Sequence, residues 1–254
     1  MRRRLFIVPV LIALSAISLS CAKRSHEPLL IFAAASLAGP MDSVATAFAQ
    51  QTGTPVLVTY GASGTLAQQI RIGADAAIFV SADTTWPRQL AEDPKVKAVA
   101  WRPFLRNRLV MASLSGNEAT PSFPDALQAL ALAHIAIADP ESAPAGRYAR
   151  VYLERVGLWE RLRTHLMIRE DVRSALNVVR LGIADIGIVY ATDISASSGV
   201  KIAAEIPDSL YPPAIYGAVL LKEGAPARAL FEQLFSESSL QQFRRVGFRT
   251  ETGP

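Results

Sequence analysis

Two stretches near the start of the chain set a serine among small residues directly after an apolar run. The first is Leu29-Leu30-Ile31-Phe32-Ala33-Ala34-Ala35-Ser36-Leu37. The second is Val56-Leu57-Val58-Thr59-Tyr60-Gly61-Ala62-Ser63-Gly64-Thr65-Leu66. Each reads as a strand that runs into the first turn of a helix. That turn has backbone N–H groups with no intrahelical acceptor and the positive end of the helix dipole. A serine adds a hydroxyl, and small neighbours let a ligand approach. Two such turns on neighbouring parallel strands would cradle an anion without a cationic side chain.

Three later segments have the same character. Asp139-Pro140-Glu141-Ser142-Ala143-Pro144-Ala145-Gly146-Arg147-Tyr148 follows a strand and opens a helix, with Ala145 and Gly146 able to approach a ligand through their N–H groups. Arg169-Glu170-Asp171-Val172-Arg173-Ser174-Ala175-Leu176 is a polar loop entering a helix. In Gly187-Ile188-Val189-Tyr190-Ala191-Thr192-Asp193 a tyrosine closes an apolar strand, where its hydroxyl can reach a cleft. Taken singly, each has a plainer explanation. Ser36 and Ser63 could be helix caps, and so could Asp83, Asp139 and Asp171. Tyr190 could be half-buried core with its hydroxyl satisfied locally.

The elements that must position these residues alternate. Strands are expected at Leu29–Ala33, Pro55–Tyr60, Ala76–Val80, Arg108–Ser113, Ile135–Ala138, Ile186–Tyr190 and Ile215–Leu221. Helices are expected at Pro40–Gln51, Leu66–Ile72, Trp86–Leu90, Arg147–Val156, Asp171–Leu181, Ala225–Phe235 and Ser239–Val246, with a loop and helix over Pro121–Leu130. Strands alternating with helices imply an α/β protein with mostly parallel sheets. Ligands of open α/β sheets bind beyond the carboxyl ends of the strands, where Ser36 and Ser63 are expected to lie.

Met1-Arg2-Arg3-Arg4 followed by the apolar run Leu5–Leu19 reads as a secretory signal over residues 1–20. The run is short for a membrane span, and a retained anchor is the competing reading. The only cysteine, Cys21, sits at the expected cut. Ser18-Leu19-Ser20-Cys21 resembles a bacterial lipoprotein box, in which the cysteine is acylated, but with Ser18 where that box usually has Leu. Ordinary cleavage after Ala22 also fits. An unpaired cysteine in an oxidising compartment favours lipidation. Removing residues 1–20 takes three arginines from the 26 basic residues and nothing from the 22 acidic ones, so the net charge falls from +4 to near +1. That leaves no polybasic case for nucleic acid. Residues 21–28 read as a linker, and the rest is long enough for two lobes.

Read in order, Phe-Ala-Ala-Ala-Ser-Leu (32–37), Ser-Gly-Thr-Leu (63–66), Phe-Val-Ser-Ala-Asp (79–83), Asp-Pro-Glu-x-x-Pro-Ala-Gly-x-Tyr-Ala (139–149), Glu-Asp-Val-Arg-x-Ala-Leu (170–176) and Gly-Ile-Val-Tyr-x-x-Asp (187–193) resemble the periplasmic molybdate-binding proteins. These are the solute receptors of molybdate ABC transporters. The resemblance runs from about Leu29 to Phe248. It implies a two-lobed periplasmic-binding-protein fold of type II, with the ligand between lobe 1 (29–108 plus 214–254) and lobe 2 (109–213). Strands near Arg108–Val110 and Pro213–Tyr216 would cross between the lobes. It also implies an oxyanion held by Ser36 and Ser63 from the first lobe and by Ala145, Val172 and Tyr190 from the second. The serines would give hydroxyl and N–H bonds, Ala145 and Val172 their N–H groups, and Tyr190 its phenol. No enzymatic activity and no cofactor are implied. The ligand would be molybdate or tungstate, and the partner an inner-membrane ABC permease with its ATPase. The protein would be a periplasmic monomer, anchored by lipid if Cys21 is acylated. One departure stands out: Ala76-Ala77 replaces the family's usual Ala-Asp, which bears on local capping or hinge contacts rather than on the oxyanion.

Donor-only positions suit molybdate, a fully deprotonated dianion that can only accept hydrogen bonds. Phosphate keeps a proton at neutral pH and would call for an acceptor such as a carboxylate. Sulfate has the same charge and shape but is smaller, so cavity size would have to exclude it. Two other classes compete. A hydrolase built on Ser63, Asp171 and His165 lacks the nucleophile-elbow context. A ferric-ion receptor would want paired tyrosines with a carboxylate or histidine, whereas Tyr190 stands alone at its strand end and Tyr211 and Tyr216 lie elsewhere in the sequence. A receptor of the same fold for another, sulfate-like oxyanion stays open.

Overall fold

A computed structural model of the chain describes residues 27–116 and 133–250. The signal, Cys21 and the element expected at Pro121–Leu130 lie outside these residues. Among the described residues no helix is long and apolar enough to cross a membrane.

The apolar run after Pro28 forms β1 (Leu29–Ala34), flanked in parallel by β2 (Val56–Gly61) and β3 (Ile78–Ser81), with Leu29 opposite Val56 and Ile31 opposite Ile78. The chain then enters β4 (Ala100–Asn107), passes through Arg108 alone, and starts β5 (Leu109–Leu114) in a different sheet. The second sheet is completed by β6 (Ile135–Ala138), β7 (Leu166–Arg169), β8 (Ile186–Tyr190) and β9 (Val200–Glu205), in the order β7-β6-β8-β5-β9. After residues 206–213 the chain returns to the first sheet through β10 (Ala214–Leu220) and the short β11 (Arg249–Thr250), giving the order β11-β4-β10-β3-β1-β2.

Both sheets are mixed, which corrects the expectation of mostly parallel pairing. The alternating βα units do pair in parallel: β1 with β2 and β3, and β6 with β7 and β8. The strands that sequence patterning did not reveal supply much of the antiparallel remainder. β4 carries Arg102, Pro103 and Arg106 in a half-exposed strand. It pairs antiparallel with β10 across an irregularity between Ile215 and Gly217, and Pro103, which has no N–H to donate, sits beside it. β9 pairs antiparallel with β5, with its own register shift between Met111 and Ala112.

The helices cover the sheets with apolar faces. α1 (Pro40–Thr52) buries Met41, Val44, Ala45 and Phe48, and ends at Gly53 in a left-handed conformation. α2 (Ser63–Arg71) and α3 (Thr85–Glu92) complete the outer part of the first half. In the second half, α4 (Pro144–Arg155) buries Tyr148, Ala149, Tyr152 and Leu153. The short α5 (Trp159–Leu162) follows, and then α6 (Val172–Arg180), which buries Val172, Ala175, Leu176 and Val179. Asp171 caps α6 by accepting the Ser174 N–H at 2.9 Å. The one-turn α7 (Ala191–Ser195) follows β8, and α8 (Ala225–Leu234) and α9 (Glu237–Arg245) pack back on the first half.

The two connecting stretches are tied together. Arg108 pairs with Glu205 at 2.7 Å, and the Leu109 N–H donates to the Tyr211 hydroxyl at 3.0 Å, which in turn donates to Asp208 at 2.8 Å. Ala77 is fully buried where β3 begins, its N–H bonded to the Leu30 carbonyl at 2.8 Å, away from the residues described next.

Candidate functional site

Five strands deliver residues to one place. β1 runs into a single helical turn, Ala35–Leu37, that holds Ser36. β2 runs into α2, of which Ser63 is the first residue. From the other sheet, β6 leads by a five-residue loop to Pro144 and Ala145 at the start of α4, β7 leads to Val172 at the start of α6, and β8 ends on Tyr190. All of these are carboxyl ends of strands. Ser36, Ser63, Ala145, Val172 and Tyr190 line one small pocket, together with Ala34, Ala62, Ala82 and Ala143.

Neither serine is a helix cap. The turn at Ser36 begins from Ala34, and α2 begins from Ala62, with no side-chain capping bond at either. Both hydroxyls are buried. The Ser63 oxygen accepts the Ala82 N–H at 3.1 Å, which leaves the Ser63 proton to be given elsewhere. Ser36 Oγ lies 2.8 Å from the Tyr216 hydroxyl. Ala145 and Val172 occupy the first turns of α4 and α6, where N–H groups lack intrahelical acceptors. Tyr190 is fully buried, and its hydroxyl has no hydrogen-bond partner within the protein. Leaving a buried O–H unmade costs about 1–3 kcal/mol, so a hydroxyl of this kind at a pocket wall points to an absent acceptor. Burial pushes the phenols of Tyr190 and Tyr216 well above their ordinary range, so both are neutral donors.

The pocket lining contains no Lys, Arg or His. One carboxylate, Asp171, does line it, contrary to the expectation of a site without carboxylates. Its Oδ1 caps α6. Asp83 and Asp139 have local roles too: Asp83 accepts from Trp86 N–H and Ser81 Oγ, Asp139 from Glu141 N–H and Ser142 Oγ. Behind the pocket, buried Asp193 accepts the Tyr190 N–H at 3.2 Å, and its other oxygen lies 3.0 Å from Arg173 Nε, an ion pair out of line for a hydrogen bond. Burial, opposed by Arg173, lifts the Asp193 carboxyl to about 6.

The two halves touch around the pocket. The Gly64 N–H donates to the Ser142 carbonyl at 2.7 Å, Arg147 pairs with Asp83, and Arg173 reaches the Ala38 carbonyl at 3.4 Å. None of these partners was apparent in the sequence, because each joins residues far apart in the chain. Tyr216 was misplaced: its ring packs 5.8 Å from that of Tyr190. It does not make a free tyrosine pair, since its hydroxyl also accepts from Asn107 Nδ2 at 3.2 Å. Among the described residues no group of His, Cys, Asp and Glu could hold a metal ion. His165 packs edge-on against His134 rather than lining the pocket with Ser63 and Asp171.

Residues 29–249 match the family model for bacterial extracellular solute-binding proteins. The chain belongs to that family. This solute-binding protein is 34% identical over 226 residues to the molybdate-binding protein ModA of Escherichia coli, covering 87% of the chain and 88% of the relative. It is 30% identical over 196 residues to the putative ABC transporter substrate-binding lipoprotein YvgL of Bacillus subtilis, covering 76% and 74%. It superposes on the periplasmic molybdate-binding protein of Azotobacter vinelandii with a TM-score of 0.76 at 25% identity, covering 87% of this chain and 98% of that one. The family is one of solute receptors rather than enzymes.

Proposed function

We propose that the chain is an extracytoplasmic receptor that binds molybdate, and with it tungstate, and delivers the ion to an inner-membrane ABC permease and its ATPase. Ser36 and Ser63 from lobe 1 (29–108 plus 214–254) and Ala145, Val172 and Tyr190 from lobe 2 (109–213) would hold the oxyanion, and the lobes would close on it about the crossings at Arg108 and 206–213. The observation that carries this reading is the Tyr190 hydroxyl, buried without an acceptor in a pocket whose other polar groups, apart from the Asp171 carboxylate that caps α6, are serine hydroxyls and helix-start N–H groups. Such a set serves a dianion that only accepts. Neutral bonds of about 1 kcal/mol each, strengthened in a dry pocket, can hold an ion firmly and still let a permease take it. The relatives named for molybdate support the choice of ion. Secretion by the signal over 1–20 and acylation of Cys21 complete the proposal, with the lipoprotein relative in support.

Thermal melting of the mature protein with molybdate, tungstate, sulfate and phosphate tests it. A ligand that binds only the folded form raises the melting temperature. Molybdate and tungstate should raise it and phosphate should not. No shift with molybdate overturns the proposal.

A further inference from the structure

Ser36 is the head of a hydrogen-bond chain whose far end, at Asn107, is oriented by a backbone donor. Asn107 closes β4 at the crossing between the sheets. Its Oδ1 accepts the Arg108 N–H at 2.9 Å, so its Nδ2 must face the other way. The two amide hydrogens then go to Thr192 Oγ1 at 2.8 Å and to the Tyr216 hydroxyl at 3.2 Å. Flipping the amide would set two donors against each other at Arg108. Tyr216 accepts from Asn107, and Ser36 Oγ, 2.8 Å away, lies within reach of its own buried proton. The arrangement that leaves neither the hydroxyl hydrogen of Tyr216 nor an amide hydrogen of Asn107 unmade has Tyr216 donating to Ser36. The Ser36 proton is therefore left for the pocket.

From this chain we infer that Asn107 and Tyr216 are specificity-determining positioning residues: they fix Ser36 as a hydrogen donor to the bound anion and so favour proton-free tetrahedral oxyanions over protonated ones. The inference deepens the molybdate reading and rests on it. An anion bearing an O–H needs an acceptor in the site. With Ser36 held as a donor, an O–H turned toward Ser36 meets a hydrogen instead of a lone pair. A serine free to rotate could serve either kind of anion, since a hydroxyl both donates and accepts. Discrimination built on an unsatisfied polar group is stronger than discrimination built on fit alone.

The substitution Asn107→Asp reverses the chain with little change of shape. A carboxylate there accepts from Tyr216, Tyr216 then accepts from Ser36, and Ser36 presents only lone pairs to the pocket. The added charge would weaken every anion alike. The reversal would weaken only the proton-free ones. The test is calorimetric titration of wild type, Asn107→Asp, Tyr216→Phe and Ser36→Ala with molybdate, sulfate and phosphate at neutral pH, each variant checked for cooperative melting. In Asn107→Asp the molybdate-to-phosphate affinity ratio should fall by roughly tenfold or more, about one neutral hydrogen bond. Tyr216→Phe should lower it less, because Ser36 becomes free rather than reversed. Combining Asn107→Asp with Ser36→Ala should leave the ratio of Ser36→Ala unchanged, the coupling expected of residues that act through one hydroxyl. An unchanged ratio in folded Asn107→Asp overturns the inference. If that variant does not fold, an unchanged ratio in Tyr216→Phe does so. Wild type that ignores molybdate sinks the functional reading instead, and the same ratio is then read with sulfate as the proton-free anion.

Discussion

Tyr190 has a hydroxyl that the protein itself leaves unsatisfied. Tyr190→Phe keeps the ring in contact with Tyr216 and removes only that donor. Molybdate affinity should drop about tenfold, the worth of a neutral bond of about 1 kcal/mol or slightly more. The empty protein should melt no lower than wild type, because a buried unmade O–H is gone. Calorimetry and thermal melting check the two halves of this prediction; weaker binding together with a lower melting temperature would mean that Tyr190 serves the core instead. Asp193, just behind it, gives a pH dependence. Its carboxyl is lifted from 3.8 to about 6, chiefly by burial. Between those values the folded protein holds a proton that the unfolded chain has released. The contribution of this group therefore favours the fold on the acid side of the window and is lost as pH rises through about 6. Asp193→Asn should flatten that part of the stability profile, measured as the difference between variant and wild type in melts from pH 4 to 7. The pocket-lining residues were legible because each stands at or just beyond a strand end among small neighbours. Tyr216 and Asn107 were not, since a hydroxyl 180 positions from Ser36 becomes its partner only once β10 lies beside β4 and β3.

Among the elements, the helix starts are what the site is made from, and two glycines fix how closely they can approach. Gly64, in the first turn of α2, would carry a Cβ only 2.6 Å from the Ser142 carbonyl oxygen and 2.8 Å from Trp86. Ser142 belongs to the opposite half, so the methyl group of Gly64→Ala wedges the halves apart. Such overpacking costs about 1–3 kcal/mol. Molybdate should then bind tenfold or more weakly in titration, while the empty protein relieves the Ser142 contact by separating the halves and the Trp86 contact by a shift of the indole edge, so its melting temperature should fall less than that of Gly146→Ala. Gly146 is different: a Cβ there meets the Ala138 and Asp139 backbone within the same half. Gly146→Ala should lower the melting temperature of the empty protein, the outcome that separates a packing glycine from a closure glycine. The βα units around these turns could be read from the sequence because strand and helix periods alternate cleanly. β4, β7 and β9 could not. β4 is broken by arginines and a proline, and β7 is four residues long. Their partners are antiparallel neighbours or distant strands, so no local repeat announces them.

At the scale of the whole molecule, the halves meet through Gly64 with Ser142, Asp83 with Arg147, and Arg173 with Ala38, while only Arg108 and residues 206–213 join the sheets covalently among the described residues. The proposed closure follows from that layout: a few contacts around the ligand, set against two hinges. A ligand that bridges the halves shifts the population toward the closed form. Small-angle scattering should show wild type contracting on molybdate and Gly64→Ala contracting less; equal compactness with and without the ion would rule the motion out. The wall of the pocket brings a last consequence. With no lysine or arginine in it, nothing in the lining cancels the cargo. A chain without its first twenty residues carries about +1, so taking up a dianion turns the complex net negative, near −1. Loading would thus invert the sign of the whole particle. Isoelectric focusing should then show the filled form at a lower pI than the empty one, and a downstream partner could sort full from empty by that polarity before touching the pocket at all.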